Sequence, residues 1–227
     1  MIEIVSATRL AEDEFWQKSP LGLSLRRLKH PALRLAPQIS FANARGLPEV
    51  YNARIAAPEG EPMLVFMHDD VWIDDYYFAE RVTEGLKTYD VIGVAGNRRR
   101  LPGQPAWLFM LDERKLVWDD KVNLSGAIAH GKTPFGQISF YGPAPAECEL
   151  LDGVFLAANR AALQRVGLQF DARFEFHFYD VDFCRSARQK GLRLGTWPIC
   201  LTHQSGGVFG SEIWNEKYRQ YLAKWND

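Results

Sequence analysis

The sequence lacks any apolar run near the ~18 residues that cross a bilayer, and its N-terminus lacks the charged start and apolar stretch of a signal peptide. It also lacks charge imbalance, because 27 Lys and Arg against 28 Asp and Glu give a net charge of -1. Its three cysteines form no CxxC pair. We therefore expect a soluble cytoplasmic protein with no transmembrane segment, with buried thiols and with no broad surface for nucleic acid.

Motifs of several common enzyme classes are also missing. The chain contains no GxSxG, GxGxxG or HExxH pattern, so serine hydrolases, dinucleotide oxidoreductases and zincins lose their usual support. Hydrophobic residues make up 47% and charged residues 24% of the 227 residues. These values are typical of a folded globular chain rather than a disordered one.

Strand and helix patterns alternate in the first part of the chain. The run at 63–67 is apolar without alternation, as in a strand covered on both faces. This order predicts an α/β fold with a mixed, mainly parallel central sheet flanked by helices, and with 63–67 near its middle. The expected strands are 2–5, 38–41, 63–67 and 91–95, and the expected helices are 12–28 (broken near 20–22), 47–57 and 74–87.

The second part of the chain has a less regular pattern. Residues 97–145 are rich in Gly and Pro, and we interpret them as a hairpin and loops inserted into the main sheet. Short strands are expected there at 107–111, 115–118 and 137–141. Further strands are expected at 154–158 and 193–200, and helices at 160–166, 179–190 and 211–225.

Two carboxylates directly follow the central strand, in the segment His68-Asp69-Asp70. In open α/β sheets, ligands bind beyond the carboxyl ends of the strands. Adjacent carboxylates repel each other unless something positive lies near them, and a divalent cation with oxygen ligands is one answer. The alternative is that these acids cap the next helix or end the strand in solvent.

A second pair of acids, Asp180 and Asp182, stands at the start of a predicted helix. Two residues apart, they lie ~200° from each other around the helix axis and cannot face one cleft. Asp182 belongs to a polar stripe that we expect to face solvent, whereas Asp180 shares its side with inward-looking residues. That stripe also contains Arg185, Ser186 and Gln189. Asp180 is therefore either a capping acid or a functional carboxylate, and the positive end of the helix dipole should help to keep it ionised.

His203 comes just after the expected strand 193–200 and is followed by Gly206 and Gly207. A histidine on a flexible loop is compatible with a metal ligand, although a lone histidine is more often an ordinary surface or core residue. We expect Asp70, Asp180 and His203 all to lie at strand ends or helix starts of one sheet. That convergence favours a site.

Taken in order, five segments resemble the family 2 glycosyltransferases with the GT-A fold, most closely the small bacterial members. The segment 65–71 resembles the strand with the acidic metal motif, and 178–184 resembles the helix start that carries the catalytic base. The others are 43–52, 151–157 and 203–207. Two residues depart from the pattern: His68 replaces the usual first Asp of the metal motif, and Tyr179 replaces the Glu that often precedes the base. The donor-binding region after the first strand, 6–8, is also short and weakly matched.

The resemblance implies transfer of a sugar from a nucleoside-diphosphate sugar, a UDP-sugar being the expected donor, to a glycan or other acceptor hydroxyl. It implies an inverting reaction with Mn²⁺ or Mg²⁺, in cell-surface polysaccharide synthesis. The chain 1–227 would be a single domain, with a nucleotide-sugar half at about 1–96 and an acceptor half at about 97–227. Asp180 would be the base and Asp70 and His203 the metal ligands; Ser6, Asn43, Asn52 and Asp69 would bind the donor, and Trp72, Asp152, Gly153 and His177 the acceptor.

Two other functions stay open at this point. A metal-dependent nucleotidyltransferase or phosphohydrolase also needs carboxylates and a divalent ion, and it predicts a second acid cluster close to the first. A protein that binds a sugar nucleotide or a glycan without turning it over is favoured by His68, which stands where the metal motif has its first acid.

Overall fold

The described residues form a seven-stranded β-sheet, a six-stranded β-sheet and a two-stranded hairpin. The computed structural model describes residues 1–28, 34–113 and 115–227. The strands are β1 (Ile2–Ala7), β2 (Leu35–Ser40), β3 (Met63–Met67), β4 (Val71–Ile73), β5 (Val91–Gly93), β6 (Ala95–Asn97), β7 (Phe109–Asp112), β8 (Lys115–Trp118), β9 (Leu124–His130), β10 (Gln137–Gly142), β11 (Ala146–Glu147), β12 (Leu150–Leu151), β13 (Phe155–Asn159), β14 (Leu194–Thr196) and β15 (Leu201–His203).

The larger sheet has the strand order β11-β14-β5-β13-β3-β1-β2. β1 pairs in parallel with β2 and β3, and β5 pairs in parallel with β14. β13 runs antiparallel between β3 and β5, and β11 runs antiparallel to β14. Three of its six strand pairs are parallel and five of its seven strands run in one direction, so the sheet is mixed, as predicted, and β3 lies next to its middle strand. Four of the five residues of β3 are buried, which agrees with its unbroken apolar sequence.

The helices are α1 (Glu12–Lys18), α2 (Pro20–Arg27), α3 (Leu47–Ile55), α4 (Phe78–Thr88), α5 (Arg160–Arg165), α6 (Tyr179–Gln189) and α7 (Glu212–Trp225), with a short 3₁₀ helix at Lys121–Asn123. The predicted break in the first helix is confirmed: Ser19 caps α2 by accepting from Gly22 N at 2.9 Å, and Pro20 follows as its first residue. Among the described residues, no helix has the length and apolar character to cross a membrane.

One helix begins later than the sequence predicts. α4 starts at Phe78 rather than at residue 74, because Asp74 is used elsewhere. Its Oδ2 accepts hydrogen bonds from Thr202 Oγ1 at 2.5 Å and from Phe135 N at 2.9 Å. The side chain of Asp74 therefore links the segment before α4 to the smaller sheet, and it does not lie in the first turn of the helix.

Two predicted strands are each divided between the sheets. The segment 91–95 forms β5 in the larger sheet and then β6 in the smaller one, and 193–200 forms only β14 before the chain crosses to β15. Pro198 lies in that crossing, where a residue without an N–H cannot continue a ladder. The region 97–145 is likewise not inserted into the main sheet, because β9 and β10 belong to the smaller sheet and β7 and β8 form a separate hairpin.

The smaller sheet, ordered β12-β6-β9-β15-β4 with β10 beside β9, positions the site. β4 follows β3 after three residues, and β15 pairs with it antiparallel. The loop after β3 therefore lies against the end of β15, although the two are far apart in the sequence.

Candidate active site

Three side chains meet beyond the carboxyl end of β3. His68 and Asp70 lie in the turn between β3 and β4, and His203 is the last residue of β15, opposite Val71 of β4. A backbone hydrogen bond joins the turn after β3 to the end of β15, since Gln204 N donates to Asp70 O at 2.9 Å. His203 therefore lies within a strand and not on the flexible loop expected from the sequence.

The polar atoms of the three side chains point at one another. His203 Nε2 is 3.3 Å from Asp70 Oδ1, and His68 Nδ1 is 3.9 Å from the same oxygen. One ligand atom from each residue can be chosen so that all lie within 4.8 Å of one another. Ser205 Oγ donates to Asp70 Oδ2 at 2.5 Å, which fixes the carboxylate.

The charges of the cluster suit a divalent cation. Burial alone would raise the pKa of Asp70, but His203 and Ser205 hydrogen-bond it and hold its pKa well below the usual range. Burial lowers the pKa of His68 and so favours its neutral ring. Burial would lower the pKa of His203 as well, but its hydrogen bond with Asp70 raises it, so a metal ion would displace a proton from His203. Protein ligands ~2.0–2.2 Å from a small divalent ion lie about 3–4 Å apart, and the distances of 3.3 and 3.9 Å from Asp70 Oδ1 to the two histidines lie in this range.

A cavity of about 860 Å³ lies on one side of this cluster, and Asn43, Asp69 and Asp70 are part of its wall. Three basic side chains, Arg9, Lys18 and Arg45, also line it, together with a third acid, Glu175, and we call it the charged cavity. Asn43 is held in place at the rim, since its Nδ2 donates to Arg45 O at 2.7 Å. The cavity therefore joins cationic side chains to the candidate metal ligands.

The structure does not bring two of the predicted donor-binding residues to this cavity. Ser6 is fully buried in β1, and its neighbours Ala7 and Thr8 line the cavity instead. Asn52 lies on α3, and its side-chain amide makes two hydrogen bonds with the backbone of Phe170. Nδ2 donates to Phe170 O and Oδ1 accepts from Phe170 N, both at 2.8 Å. Ser6 and Asn52 are therefore part of the packing of the fold, and neither lines this cavity.

A second cavity, of about 450 Å³, opens on the other side of the cluster. His68 and His203 line it together with the predicted residues Asp152, Gly153, His177 and Asp180. Much of the remaining wall is aromatic, including Trp107, Trp118, Tyr141, Phe176 and Trp214. The candidate metal cluster therefore lies between the charged cavity and an aromatic one.

Asp152 and Asp180 are the acids of the aromatic cavity. Asp152 Oδ2 accepts from Trp107 Nε1 at 2.7 Å, and Asp180 Oδ2 accepts from Gly153 N at 3.0 Å. Burial and the negative charge of Asp152 raise the pKa of Asp180 to about 7. The expected help of the helix dipole is thus outweighed, and Asp180 titrates near neutral pH.

The prediction that Asp182 faces solvent is wrong. Asp182 is 0% exposed, because α7 packs over this side of α6. Lys224 Nζ lies 2.7 Å from Asp182 Oδ1, and Trp225 Nε1 donates to the same oxygen at 2.9 Å. Arg185 of the same stripe is also buried, and it pairs with the carboxylate of Asp227.

Trp72, predicted near the acceptor, is not brought to the site. It lies in the middle of β4, opposite Thr202, and lines neither of the two cavities described. Cys200 also differs from expectation: it is exposed, whereas Cys148 and Cys184 are buried as predicted.

Sequence reasoning missed three contributors to the site. His68 was noted only as a departure from an acidic motif, although a histidine beside Asp70 could have been considered as a ligand. Ser205 and Trp107 carry no local pattern that marks them, since their contacts with Asp70 and Asp152 arise from chain segments distant in the sequence.

The family comparison covers nearly the whole chain. Residues 11–221 match the glycosyltransferase like family, so the protein belongs to this family of enzymes. A comparison with curated protein sequences finds no match.

Solved structures show that the fold is that of the GT-A glycosyltransferases. The mannosyltransferase PcManGT from Pyrobaculum calidifontis, in complex with GDP-Man and Mn²⁺, has a TM-score of 0.54 and 12% identity over 97% of this chain and 61% of its own. TarS 1–349 from S. aureus, in complex with UDP, has a TM-score of 0.54 and 12% identity over 98% and 64%. The catalytic domain of Drosophila β1,4-galactosyltransferase 7, in complex with xylobiose, has a TM-score of 0.54 and 10% identity over 96% and 79%. The chain thus spans less than two thirds of the first two of these proteins.

Proposed function

We propose that the protein transfers a sugar from a nucleoside-diphosphate sugar to a hydroxyl of a glycan, with inversion at the sugar carbon and with a divalent metal ion. The observation that carries this proposal is the position of the His68, Asp70 and His203 cluster between the charged cavity, whose wall includes three basic side chains, and the aromatic one. Such an arrangement would place a diphosphate on one side of the ion and a sugar acceptor on the other.

The donor would occupy the charged cavity. Arg9, Lys18 and Arg45 offer charge to a diphosphate, and Asn43 and Asp69 offer polar groups to the nucleoside or sugar. Asp70 and His203 would hold Mn²⁺ or Mg²⁺, which neutralises charge on the departing diphosphate. UDP and GDP are both reasonable probes, since TarS is described with UDP and PcManGT with GDP-Man. A UDP-sugar stays our first prediction.

The acceptor would occupy the aromatic cavity. Trp107, Trp118 and Tyr141 can pack against the apolar face of a sugar ring, and Asp152 and His177 can orient its hydroxyls. Asp180, whose pKa of about 7 suits proton transfer at neutral pH, would take the proton of the attacking hydroxyl. The proton passes from the acceptor oxygen to the Asp180 carboxylate as the new glycosidic bond forms and the bond to the diphosphate breaks.

This proposal divides the chain as the sequence predicts, with donor contacts mostly in 1–96 and acceptor contacts mostly in 97–227. The rival phosphohydrolase or nucleotidyltransferase needs a second acid cluster beside the first. In the described part of the chain, His68, Asp70 and His203 are the group of side chains close enough to hold a metal. A cytoplasmic location and a role in cell-surface polysaccharide synthesis stay predictions from the sequence.

The test is a transfer assay with UDP- and GDP-sugars and a panel of oligosaccharide acceptors, with and without Mn²⁺. We expect release of the nucleoside diphosphate only with acceptor and metal together, and NMR should show the opposite anomer in the product. Asp70→Asn should abolish the effect of Mn²⁺ on nucleotide binding measured by calorimetry. Glu80→Gln, a change at an exposed position on α4, serves as the control.

Two results would contradict the proposal. Release of free phosphate or nucleoside monophosphate at the same rate with and without acceptor would favour the rival enzyme class. Nucleotide binding of equal strength with and without Mn²⁺, and with no turnover on any acceptor, would favour a protein that only binds.

A further inference from the structure

His68 contacts the rest of the site through both of its ring nitrogens. Its Nδ1 faces Asp70 Oδ1 at 3.9 Å, and its Nε2 lies 2.9 Å from the hydroxyl of Tyr179. The side chain of Phe176 stacks on the ring, with 5.8 Å between centroids and 24° between planes. The orientation of the imidazole is therefore set by contacts on its edge and on its face.

The hydrogen bond between Tyr179 and Gly153 determines which group is the donor between His68 and Tyr179. The Tyr179 hydroxyl lies 2.8 Å from Gly153 O, and a carbonyl oxygen can only accept. Tyr179 therefore gives its single proton to Gly153, and its oxygen can only accept from His68. The proton of a neutral His68 ring must then lie on Nε2, which leaves the lone pair of Nδ1 directed towards Asp70.

The backbone keeps Tyr179 in this position. It is buried at the start of α6, and a Cβ on Gly153 would collide with its hydroxyl and with Asp180 Cβ. The absence of a side chain at residue 153 is thus what allows the hydroxyl to reach the carbonyl. The two departures from the family pattern, His68 and Tyr179, are in direct contact with each other.

We propose that Tyr179 is a positioning residue that holds His68 with Nδ1 unprotonated, so that His68 is a third protein ligand in a metal site of two histidines and one aspartate. This inference rests on the proposed metal site of Asp70 and His203. Imidazole nitrogens suit transition metals, whereas Mg²⁺ prefers oxygen ligands. The site should therefore bind Co²⁺ more tightly than Mn²⁺, and both more tightly than Mg²⁺.

The first experiment tests the tautomer on the metal-free full chain. Long-range ¹H–¹⁵N NMR of the histidine rings, assigned with His68→Gln, should show the proton of His68 on Nε2. In Tyr179→Phe, which keeps the ring and removes the hydroxyl, we expect a mixture of the two tautomers. A wild-type His68 protonated on Nδ1 would overturn the proposal.

The second experiment measures the binding of each metal alone by calorimetry, with no sugar nucleotide present. Tyr179→Phe should lower the affinity for Mn²⁺ and Co²⁺ by about 10- to 100-fold, as the loss of a group that orients a ligand does elsewhere. In a His68→Ala background, Tyr179→Phe should have no further effect, because its action passes through His68. An equal loss in both backgrounds would mean that Tyr179 is merely structural, and no loss in either would also overturn the proposal.

Tyr51→Phe is the matched control. Tyr51 packs against Tyr179, with 6.1 Å between ring centroids, and its buried hydroxyl has no hydrogen-bond partner among the described residues. Its removal should leave metal affinity unchanged. His68→Asp should keep Mn²⁺ binding but reduce the ratio of Co²⁺ to Mg²⁺ affinity by roughly tenfold or more.

The outcomes separate this inference from the proposed function. Metal affinity that depends on Tyr179 through His68, in a protein that transfers no sugar, would support the inference and reject the function. Sugar transfer that needs Mn²⁺, with metal affinity unchanged in both Tyr179→Phe and His68→Ala, would support the function and reject the inference.

Discussion

Asp180 and Asp182 are two residues apart on α6, yet Asp182 is fully buried while Asp180 is partly exposed, and their surroundings are opposite. Asp182 lies between Lys224 and Trp225, which link α6 to α7. Asp180 faces the aromatic cavity, and the negative charge of Asp152 raises its pKa. The two acids therefore differ both in access to a cavity and in the sign of the neighbouring charge, and these are the features that favour a chemical role for Asp180.

The ionised forms of the two carboxylates are also stabilised to different extents. Burial raises the pKa of both carboxylates, but the hydrogen bonds of Lys224 and Trp225 offset part of this effect for Asp182. Asp180 has backbone N–H groups as partners, including that of Gly153, and no cationic one among the causes of its shift. The protein thus keeps Asp180 at a cost in stability, which is reasonable if the carboxylate has a chemical task.

The largest expected effect is on the rate of transfer. Asp180→Asn should lower kcat by about 10²–10⁴-fold, because an amide cannot take the proton of the acceptor hydroxyl. Nucleotide binding should stay within a few-fold of wild type, because the donor cavity lies on the other side of the metal cluster. The measurement is steady-state kinetics together with nucleotide calorimetry on the same preparation.

Asp182→Asn is the matched control, with the same chemical change two residues away. It should retain most of the transfer rate of the folded protein. If Asp182→Asn loses the rate and Asp180→Asn keeps it, our assignment of the base is reversed; if both keep it, the base is another residue.

The second effect is on stability. Asp182→Ala should lower the free energy of unfolding by about 2 kcal/mol, because it leaves the Trp225 indole N–H without its acceptor and removes one partner of Lys224. Lys224 also binds Asp171 at 2.8 Å, so the lysine keeps a partner and the loss is moderate. Thermal unfolding followed by circular dichroism should show a Tm lower by roughly 4–8 °C. An unchanged Tm would mean that α7 does not depend on this contact.

The contrast between these acids also shows what sequence could predict and what it could not. Strand ends were enough to predict that Asp70 and His203 lie together, although they follow or end strands of two different sheets. A shared site with Asp180 stays a prediction, supported by the cavity that Asp180 lines with His203. The burial of Asp182 and Arg185 could not be read from α6 alone, because a polar stripe looks the same whether water or another helix covers it. The covering residues lie about 40 positions later, on α7.

The division of the sheets was partly predictable. Pro198 marks a break in the expected strand 193–200, and proline within a run is a reason to end the strand there. The crossing from β5 to β6 has no such mark, because Val94 is as apolar as its neighbours and is buried like them. Which of two sheets a short apolar strand joins depends on distant partners, here β9 and β13.

The third effect is the pH dependence of transfer. With the pKa of Asp180 at about 7, the fraction of enzyme with an ionised base falls about tenfold for each pH unit below that value. The logarithm of kcat/KM should therefore rise with a slope of one up to about pH 7 and then level off. Asp152→Asn should move this limb to lower pH, because it removes the like charge that raises the pKa of Asp180, and Asp182→Asn should leave it in place. A flat profile from pH 5 to 8 would contradict the assignment.

The smallest effect is a gain in stability from Asp180→Asn. The pKa of Asp180 is about 7 in the folded protein and 3.8 without the protein's influence, so between these values the folded state binds more protons than the unfolded chain. Stability then falls as pH rises from about 4 to about 7, because the buried acid must finally ionise. The amide does not ionise, so Asp180→Asn should be more stable by on the order of 1–2 kcal/mol above pH 7, and the gain should vanish near pH 4. Urea unfolding at both pH values measures this difference, and a variant that is less stable at pH 8 than wild type would show that the Asp180 carboxylate is a structural group like that of Asp182.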